Sequence, residues 1–385
     1  MKKLIAIAVV FALVAGAAFA VDVSGTVFGH FNLLQGDTGD DSKVGAGGGM
    51  DRLRIDGSGE VADGAFGGYI RMQKNPWENF VGVNAAYAWW KPIDQFKLFI
   101  GCQSDAFWGK EGVTGWGFNQ MPNDSSVATL FGIWDSGIYC ADGKAQNAPD
   151  LFAPGRNRYT FLEGFSDWGL GMEIKPLDMV SVNLALPFNA KKGKEAADVF
   201  AAALAQVDLH FDFGNIALTY DGAADEGDGA FFAYFGGSFG DLGLDVGIAY
   251  HFTGDNDKAK PLGFGVGLKY ASGSFGLKFR ATMATGGDDK FTYVNTSILP
   301  YFAINDNLTV FVNAGLGIMS HEDSDNAFVG FYVNPYVRVG AEWGPSFYVG
   351  LKLESALSYD GKQYADITKD SVVKFAVPVA LMVSF

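Results

Sequence analysis

The sequence predicts an all-β fold, a transmembrane antiparallel up-and-down β-barrel of about sixteen to eighteen strands. Apolar and polar residues alternate along most of the chain, which is the pattern of strands with two different faces. The alternating segments are about nine to thirteen residues long, which suits a tilted membrane crossing better than a soluble strand. Short turns and long loops alternate between these segments, as they do in such barrels.

The first twenty residues differ in character from the rest of the chain. Lys2 and Lys3 precede an apolar run, and Ala18-Phe19-Ala20 has the form of a signal-peptidase site. The run is shorter than the ~18 residues expected of a membrane-spanning helix. We therefore expect a cleaved signal peptide over 1–20 and a single barrel domain over 21–385.

Residues 52–61 illustrate the alternation on which the fold class depends. Leu53 and Ile55 fall on one face of the predicted strand, and Arg52, Arg54 and Asp56 fall on the other. A packed soluble core could not hold so many charged side chains, whereas a water-filled lumen can. Counting such segments gives about eighteen strands in antiparallel hairpins. Sixteen is the alternative, because 156–165 fits either a strand or the return of a loop.

Composition and motifs exclude several classes of function. The formal net charge of −15 argues against nucleic acid as a partner, because phosphate binding needs a basic surface. The four histidines lack the spacing of zinc ligands, and no nucleotide-binding or serine-hydrolase motif occurs in a suitable context. We expect no metal, no cofactor and no enzymatic activity. Cys102 and Cys140 either form a disulfide in an oxidising compartment or remain two thiols.

The end of the chain carries the most specific signal. Val373, Phe375, Val377, Val379, Leu381, Val383 and Phe385 form an unbroken apolar alternation that finishes on the last residue. Together with the signal peptide and the repeated amphipathic strands, this resembles the bacterial outer-membrane porins. The resemblance implies a passive diffusion channel for small hydrophilic solutes and ions in the lipid of the bacterial outer membrane. It also implies that Phe385 is part of the signal read by the barrel-assembly machinery, and that the protein is a homotrimer.

In general porins a long outer loop folds inward and narrows the pore, and here residues 104–155 are the equivalent by resemblance. Arg52, Arg54 and Arg71 come from adjacent predicted strands and would form a basic cluster on the lumen wall. Acidic residues of the loop would face this cluster across a charged constriction. The alternative is that the arginines pair with neighbours such as Asp56. The acids of this hypothesis are Asp105, Glu111, Asp124 and Asp135. The other basic residues predicted to line the lumen include Lys97, Lys278, Arg280 and Arg338.

Aromatic residues on the predicted lumen faces suggest a sugar-selective channel instead, because rings can stack on sugars. The alternative is that these rings fill gaps in the wall or form an interfacial girdle. A third hypothesis is a surface adhesin or structural outer-membrane protein without a pore. The aromatic set is Tyr69, Trp90, Phe99, Tyr293, Phe311, Tyr332, Tyr336 and Tyr348.

Overall fold

The computed structural model describes most of the strand-forming chain. The described ranges are 20–38, 44–74, 81–102, 137–140, 168–187, 203–222, 229–252, 262–285, 292–320, 328–341, 344–359 and 367–385. Within them the regular secondary structure is β-strand throughout. No helix in these ranges is long and apolar enough to cross a membrane. Residues 1–19 and most of 104–155 lie outside the described ranges, so the signal peptide and the infolded loop stay predictions.

The strands form one continuous sheet. They are β1 (Ala20–Asp37), β2 (Gly45–Val61), β3 (Phe66–Lys74), β4 (Gly82–Ile93), β5 (Phe96–Cys102), β6 (Gly137–Cys140), β7 (Trp168–Leu177), β8 (Val180–Pro187), β9 (Leu204–Phe211), β10 (Gly214–Gly222), β11 (Gly229–Phe239), β12 (Leu242–Phe252), β13 (Leu262–Ser272), β14 (Phe275–Thr285), β15 (Thr292–Asn305), β16 (Leu308–Ser320), β17 (Phe328–Gly340), β18 (Ser346–Gly350), β19 (Lys352–Tyr359) and β20 (Ile367–Ser384).

The barrel wall contains eighteen strands, which confirms the larger of the two predicted counts. β18 and β19 are two parts of one wall strand, interrupted at Leu351. β6 is a short loop segment that pairs in parallel with the end of β19 rather than with its neighbours in sequence. All wall pairings are antiparallel. Cys102 ends β5 and Cys140 ends β6, and both readings of their thiols, paired or separate, stay predictions.

The first and last strands close the barrel. β1 pairs with β2 on one side and with β20 on the other. The backbone of Phe385 hydrogen-bonds to Gly25 in both directions, at 2.8 and 3.0 Å. The Phe385 ring lies against Gly25, where a Cβ atom would come within 2.5 Å of the ring. The C-terminal phenylalanine thus occupies a space that exists because residue 25 has no side chain.

The two ends of the barrel differ in the length of the connections between strands. The described short turns all lie at one end, here called the turn end, and include 94–95, 178–179, 273–274 and 306–307. The connections that follow the other strand ends are long, and this is the loop end. The predicted alternation of short and long connections is confirmed. The predicted loop over 35–49 is shorter than expected, because β1 continues to Asp37 and β2 begins at Gly45.

The outer face is apolar and carries exposed aromatic side chains near both ends. Those at the turn end are Phe66, Trp90, Phe213, Phe239, Phe275, Phe302 and Phe347. Those nearer the loop end are Phe31, Phe231, Tyr250 and Phe331. Phe231 and Phe239 are eight residues apart on β11. At ~3.4 Å per residue and a tilt of ~40°, they are separated by roughly 20 Å along the barrel axis, close to the height of an apolar membrane band.

Candidate functional site: the lumen wall

Alternation along each strand assigns side chains to the lumen or to the outer face. On β2, Ile55 is exposed outward, whereas Arg52, Arg54 and Asp56 are part-buried on the opposite face. On β14, Phe275 is exposed on the outer face and Arg280, with the other parity, is buried. The lumen side therefore carries the charged residues, and the outer side carries the apolar ones.

The arginine cluster lies on β2 and β3. Arg71 lies opposite Asp56 in register, and its Nε atom is 2.7 Å from the Asp56 Oδ1 atom. Tyr69 donates a second hydrogen bond to the same carboxylate oxygen at 2.5 Å. Arg54 donates from Nε to the Gln73 Oε1 atom at 2.7 Å. Arg71 thus has the acidic partner of the alternative hypothesis, and Arg54 has a neutral partner on the neighbouring strand.

The other half of the constriction hypothesis falls on residues that the structure does not describe. Asp105, Glu111 and Asp124 lie in the undescribed part of the long loop. Their position relative to the arginines of β2 and β3 stays a prediction.

A second charged group lies on β5 and β7. Lys97 is opposite Glu173 in register, and its Nζ atom lies 5.0 Å from the centre of the Trp89 ring. Lys175 Nζ is 2.6 Å from Glu173 Oε1. Two positive charges thus accompany one negative charge, so these three groups give the wall a net charge of +1 here.

Basic residues continue on β13, β14 and β17. Lys269 and Lys278 are directly opposite each other. Arg280 lies two residues beyond Lys278 on the same face and is only 4% exposed. Arg338 on β17 places its guanidinium 5.4 Å from the centre of the Phe311 ring and donates to Thr309 at 3.2 Å. Lys278, Arg280 and Arg338 share the parity of the inner face of their strands, and their role in lining a pore stays a prediction.

Four aromatic rings of the lumen face lie over glycines of neighbouring strands. In each pair the two residues are direct partners in register. A Cβ atom added to the glycine would come within about 2 Å of the ring. The pairs are Trp89 over Gly67, Phe99 over Gly171, Tyr301 over Gly276 and Tyr332 over Gly315. Each ring covers backbone that would otherwise face the lumen, which stabilises strands that contain glycine.

This packing bears on the sugar-channel hypothesis. Phe99, Tyr332, Tyr336 and Tyr348 are all less than 10% exposed, so their faces are taken up by the wall. Phe311 stacks on Tyr336 with ring centres 4.6 Å apart. These buried rings behave as wall filling, the alternative that the sequence left open, whereas the side chain of Tyr293 lies outside what the structure describes. The placement of Trp90 in the lumen is wrong.

Trp90 lies on the outer face, where it stacks on Phe66. Its neighbour Trp89 takes the lumen position. Apolar residues occupy both faces of this part of β4, so alternation alone does not show which residues point into the lumen. Asp212 alternates with the apolar residues of 207–213, which predicts a lumen position, but the structure places it in the exposed turn after β9.

Sequence reasoning missed a polar network on β8, β9 and β10. Asp208 is 3% exposed and accepts hydrogen bonds from Gln206 at 2.7 Å and Asn183 at 2.9 Å. Thr219 donates to Gln206 at 3.2 Å. Polar residues at alternate positions of these strands are visible in the sequence. Their hydrogen-bond partners can be identified only when the register between the strands is known. The network holds a carboxylate in the wall by satisfying its oxygens.

One contact in this region has residue types found in hydrolases. The Ser181 Oγ and His210 Nε2 atoms are 3.0 Å apart, and His210 Nδ1 is 3.0 Å from Asn215 Oδ1. Ser181 is 5% exposed, and its hydroxyl also lies 3.4 Å from an Asp208 oxygen. A nucleophile must be reachable by substrate, so this chain of contacts is better described as a hydrogen-bonded link between three adjacent strands.

The turn end carries an exposed ion pair. Lys91 Nζ is 2.7 Å from Asp94 Oδ1 in the turn after β4. The hydrogen bond and charge of Lys91 lower the pKa of the Asp94 carboxyl below its ordinary value. Among the described residues, no group of histidine, cysteine and acidic side chains is arranged to hold a metal ion.

Solved structures of the same architecture come from bacterial outer membranes. OccK8 (OprE) of Pseudomonas aeruginosa matches with a TM-score of 0.55 and 9% identity over 95% of this chain and 98% of that one. The chain has the fold of an outer-membrane porin. OccK11 (OpdR) of the same organism matches with a TM-score of 0.54 and 11% identity, over 94% of this chain and 96% of that one. An anion-selective porin from Comamonas acidovorans matches with a TM-score of 0.51 and 12% identity, over 94% and 99% of the two chains.

Sequence comparison adds no closer relative. No family model matches the chain, and no curated protein matches it significantly. At these identities the structural matches concern the fold, so the functional conclusions below depend on the residues of this chain.

Proposed function

We propose that the protein is a channel of the bacterial outer membrane through which small hydrophilic solutes and ions diffuse passively. The observation that carries the proposal is the closed wall of eighteen strands, apolar outside and charged inside. Barrels of about 16–18 strands enclose an aqueous channel, whereas those of about eight are filled by their own side chains. Charged lumen residues such as Arg52 and Lys278 need water to solvate them, which supports a wet interior.

The porin-type fold and the aromatic girdles support an outer-membrane location, with lipid around the wall. Export by a signal peptide cleaved after Ala20 belongs to this proposal, as does recognition of Phe385 by the barrel-assembly machinery. A homotrimer is also proposed, from the resemblance to porins. The channel is proposed to work without a cofactor and without catalysis.

Selection in the proposed channel is by size and charge. Arg52 and Arg54 lie on the lumen face of β2, and Arg71 brings a further positive charge together with its partner Asp56. If the acids of the loop face this cluster, a transverse field would order water and screen solutes. The buried state of the lumen rings gives the sugar-selective alternative no comparable support.

The test is conductance of the purified, folded protein in planar lipid bilayers. We expect large and stable single-channel steps, and we expect Arg54→Glu to change conductance and ion selectivity. A heat-modifiable gel shift shows that each sample is folded. A folded barrel without conductance would reject the channel and leave a structural or adhesive role. Saturable block by oligosaccharides would revive the sugar-selective hypothesis.

A further inference from the structure

The wall is discontinuous between β17 and the strand made of β18 and β19, a place here called the β17–β19 seam. β17 and β18 pair at five successive positions near the turn end, and the last of these pairs is Tyr336 with Gly350. Beyond it, the described residues of the seam form one more pair, Tyr332 with Glu354. On its other edge, β17 pairs with β16 at twelve successive positions. One edge of β17 is therefore held along its length, and the other is held mainly at the turn end.

The residues at the seam explain why its pairing weakens. Pro335 has no N–H group, so its carbonyl accepts the Leu351 amide at 2.9 Å but the residue returns no hydrogen bond. The Leu353 amide donates to the Oδ1 atom of the Asn334 side chain at 3.0 Å. A regular antiparallel ladder has two-way main-chain bonds at such positions. A one-way bond and a side-chain bond take their place here.

Towards the loop end, a segment of the long loop lies at the edge of β19 that faces β17. β19 pairs with β20 along one edge, so its parallel pairing with the four residues of β6 uses the other edge. β6 belongs to the connection between β5 and β7, and neither of these strands borders the seam. Parallel pairing is slightly less stable per residue than antiparallel pairing. The upper seam can therefore open by release of β6, without the separation of two fully paired wall strands.

Apolar side chains lie on both faces of the seam. On the outer face, Val333, Leu351 and Leu353 are 40–54% exposed. On the lumen face, a buried apolar cluster adjoins the seam at Tyr336, the residue after Pro335. An opening here would uncover the edge of this cluster and join it to the apolar outer face. The cluster consists of Phe28, Leu299, Tyr336, Tyr348, Ala380 and Met382.

We propose that the β17–β19 seam is a lateral opening through which single-chain amphiphiles pass between the lumen and the surrounding lipid. The alkyl chain crosses the wall in contact with apolar side chains, while the polar head stays in lumen water. Backbone groups that separate when β6 is released face the lumen, where water can solvate them. This function goes beyond diffusion along the lumen and depends on the seam rather than on ion conduction.

The test is photolabelling of the folded protein in lipid vesicles by a single-chain amphiphile that carries a diazirine on its alkyl chain. We expect label on Tyr336 and Tyr348 of the lumen face, in addition to outer residues such as Phe331. Phe232 is the matched control, because it is a buried lumen ring on β11, which has continuous ladders to both neighbours. Labelling of Tyr336 and Tyr348 no higher than that of Phe232 would overturn the proposal.

A cross-link tests whether the probe enters through the seam. Val333 and Leu353 are opposite each other in the register set by the flanking pairs. In a Cys102→Ser, Cys140→Ser background, oxidation of Val333→Cys with Leu353→Cys should lower lumen labelling several-fold and leave outer labelling unchanged. The control cross-link joins Val333→Cys to Ala314→Cys across the regular β16–β17 ladder and should leave lumen labelling unchanged. Equal lumen labelling before and after oxidation of the seam pair would show entry through the mouth and reject the opening.

A second variant needs no cross-link. Pro335→Ala supplies the missing N–H donor, so the ladder can continue and lumen labelling should fall. Single-channel conductance separates this proposal from the channel itself. Lumen labelling that is sensitive to the cross-link, in a folded protein that does not conduct, would reject the channel and retain the opening. Conductance without lumen labelling would reject the opening and retain the channel, and gel mobility before and after heating verifies that each variant is folded.

Discussion

The packing of Phe99 on Gly171 makes a sharp prediction about stability. The three atoms nearest to a Cβ atom on residue 171 are all in the Phe99 ring, at 1.9, 2.3 and 2.6 Å. Carbon atoms prefer separations of about 3.5–4.0 Å, so Gly171→Ala must push the ring by roughly 1.5–2 Å. Phe99 is 5% exposed, so a displaced ring would lose packing contacts with the residues that now bury it.

The expected cost follows from two opposing effects. Overpacking of this kind destabilises a protein by about 1–3 kcal/mol. Replacing a strand glycine by alanine stabilises by about 0.5–1 kcal/mol through the lower entropy of the unfolded chain. We therefore expect Gly171→Ala to lower the free energy of unfolding by about 1–2 kcal/mol.

The sign should reverse when the ring is absent. In the Phe99→Ala background the new methyl group has room, so adding Gly171→Ala should stabilise by about 0.5–1 kcal/mol. The measurement is a double-mutant cycle from urea unfolding of the barrel in lipid vesicles, followed by circular dichroism. Gly49→Ala serves as control, because no atom lies within 4 Å of its Cβ position. Equal destabilisation by Gly171→Ala in both backgrounds would refute the proposed contact.

Two further predictions concern other parts of the wall. Gly25→Val places a side chain where the Phe385 ring lies. We therefore expect a smaller fraction of the protein to reach the heat-modifiable folded form in refolding assays. An unchanged folding yield would count against a role for this contact. Asn334 is fully buried and accepts a hydrogen bond from the Leu353 amide at 3.0 Å. Asn334→Leu leaves this amide without its acceptor, so urea unfolding should show a free energy of unfolding lower by about 1–3 kcal/mol, and an unchanged value would contradict the role of this bond.

Local alternation was enough to predict the barrel, the strand number and the closing strand. Val383 and Phe385 keep strict parity to the end of the chain, so their outward positions could be read directly. Alternation fails where a strand contains an irregularity. The register of β1 shifts between Asn32 and Gln35, so Leu33 and Leu34 are both exposed. Alternation therefore assigned the end of this strand to the following loop.

The contacts of the lumen wall could not be predicted, because they depend on register between strands. Asp208 meets Asn183 only because β8 and β9, which are separated by residues 188–203, pair side by side in one particular register. The same holds for Lys269 and Lys278, which are nine positions apart in sequence and become neighbours through a tight turn. Residue type and parity show which side chains face the lumen, but not which of them meet.

The seam between β1 and β20 also constrains the order of events during assembly. Thr26 and Ser384, which meet across it, are 358 positions apart in the chain. Contacts between residues this far apart in sequence form slowly, because the intervening chain loses conformational entropy before the contact can stabilise it. Until they form, both edge strands present unpaired amide and carbonyl groups, which hydrocarbon cannot solvate. A partly inserted sheet would expose these unpaired edges to hydrocarbon, so we expect closure of the seam and insertion of the wall to be coupled.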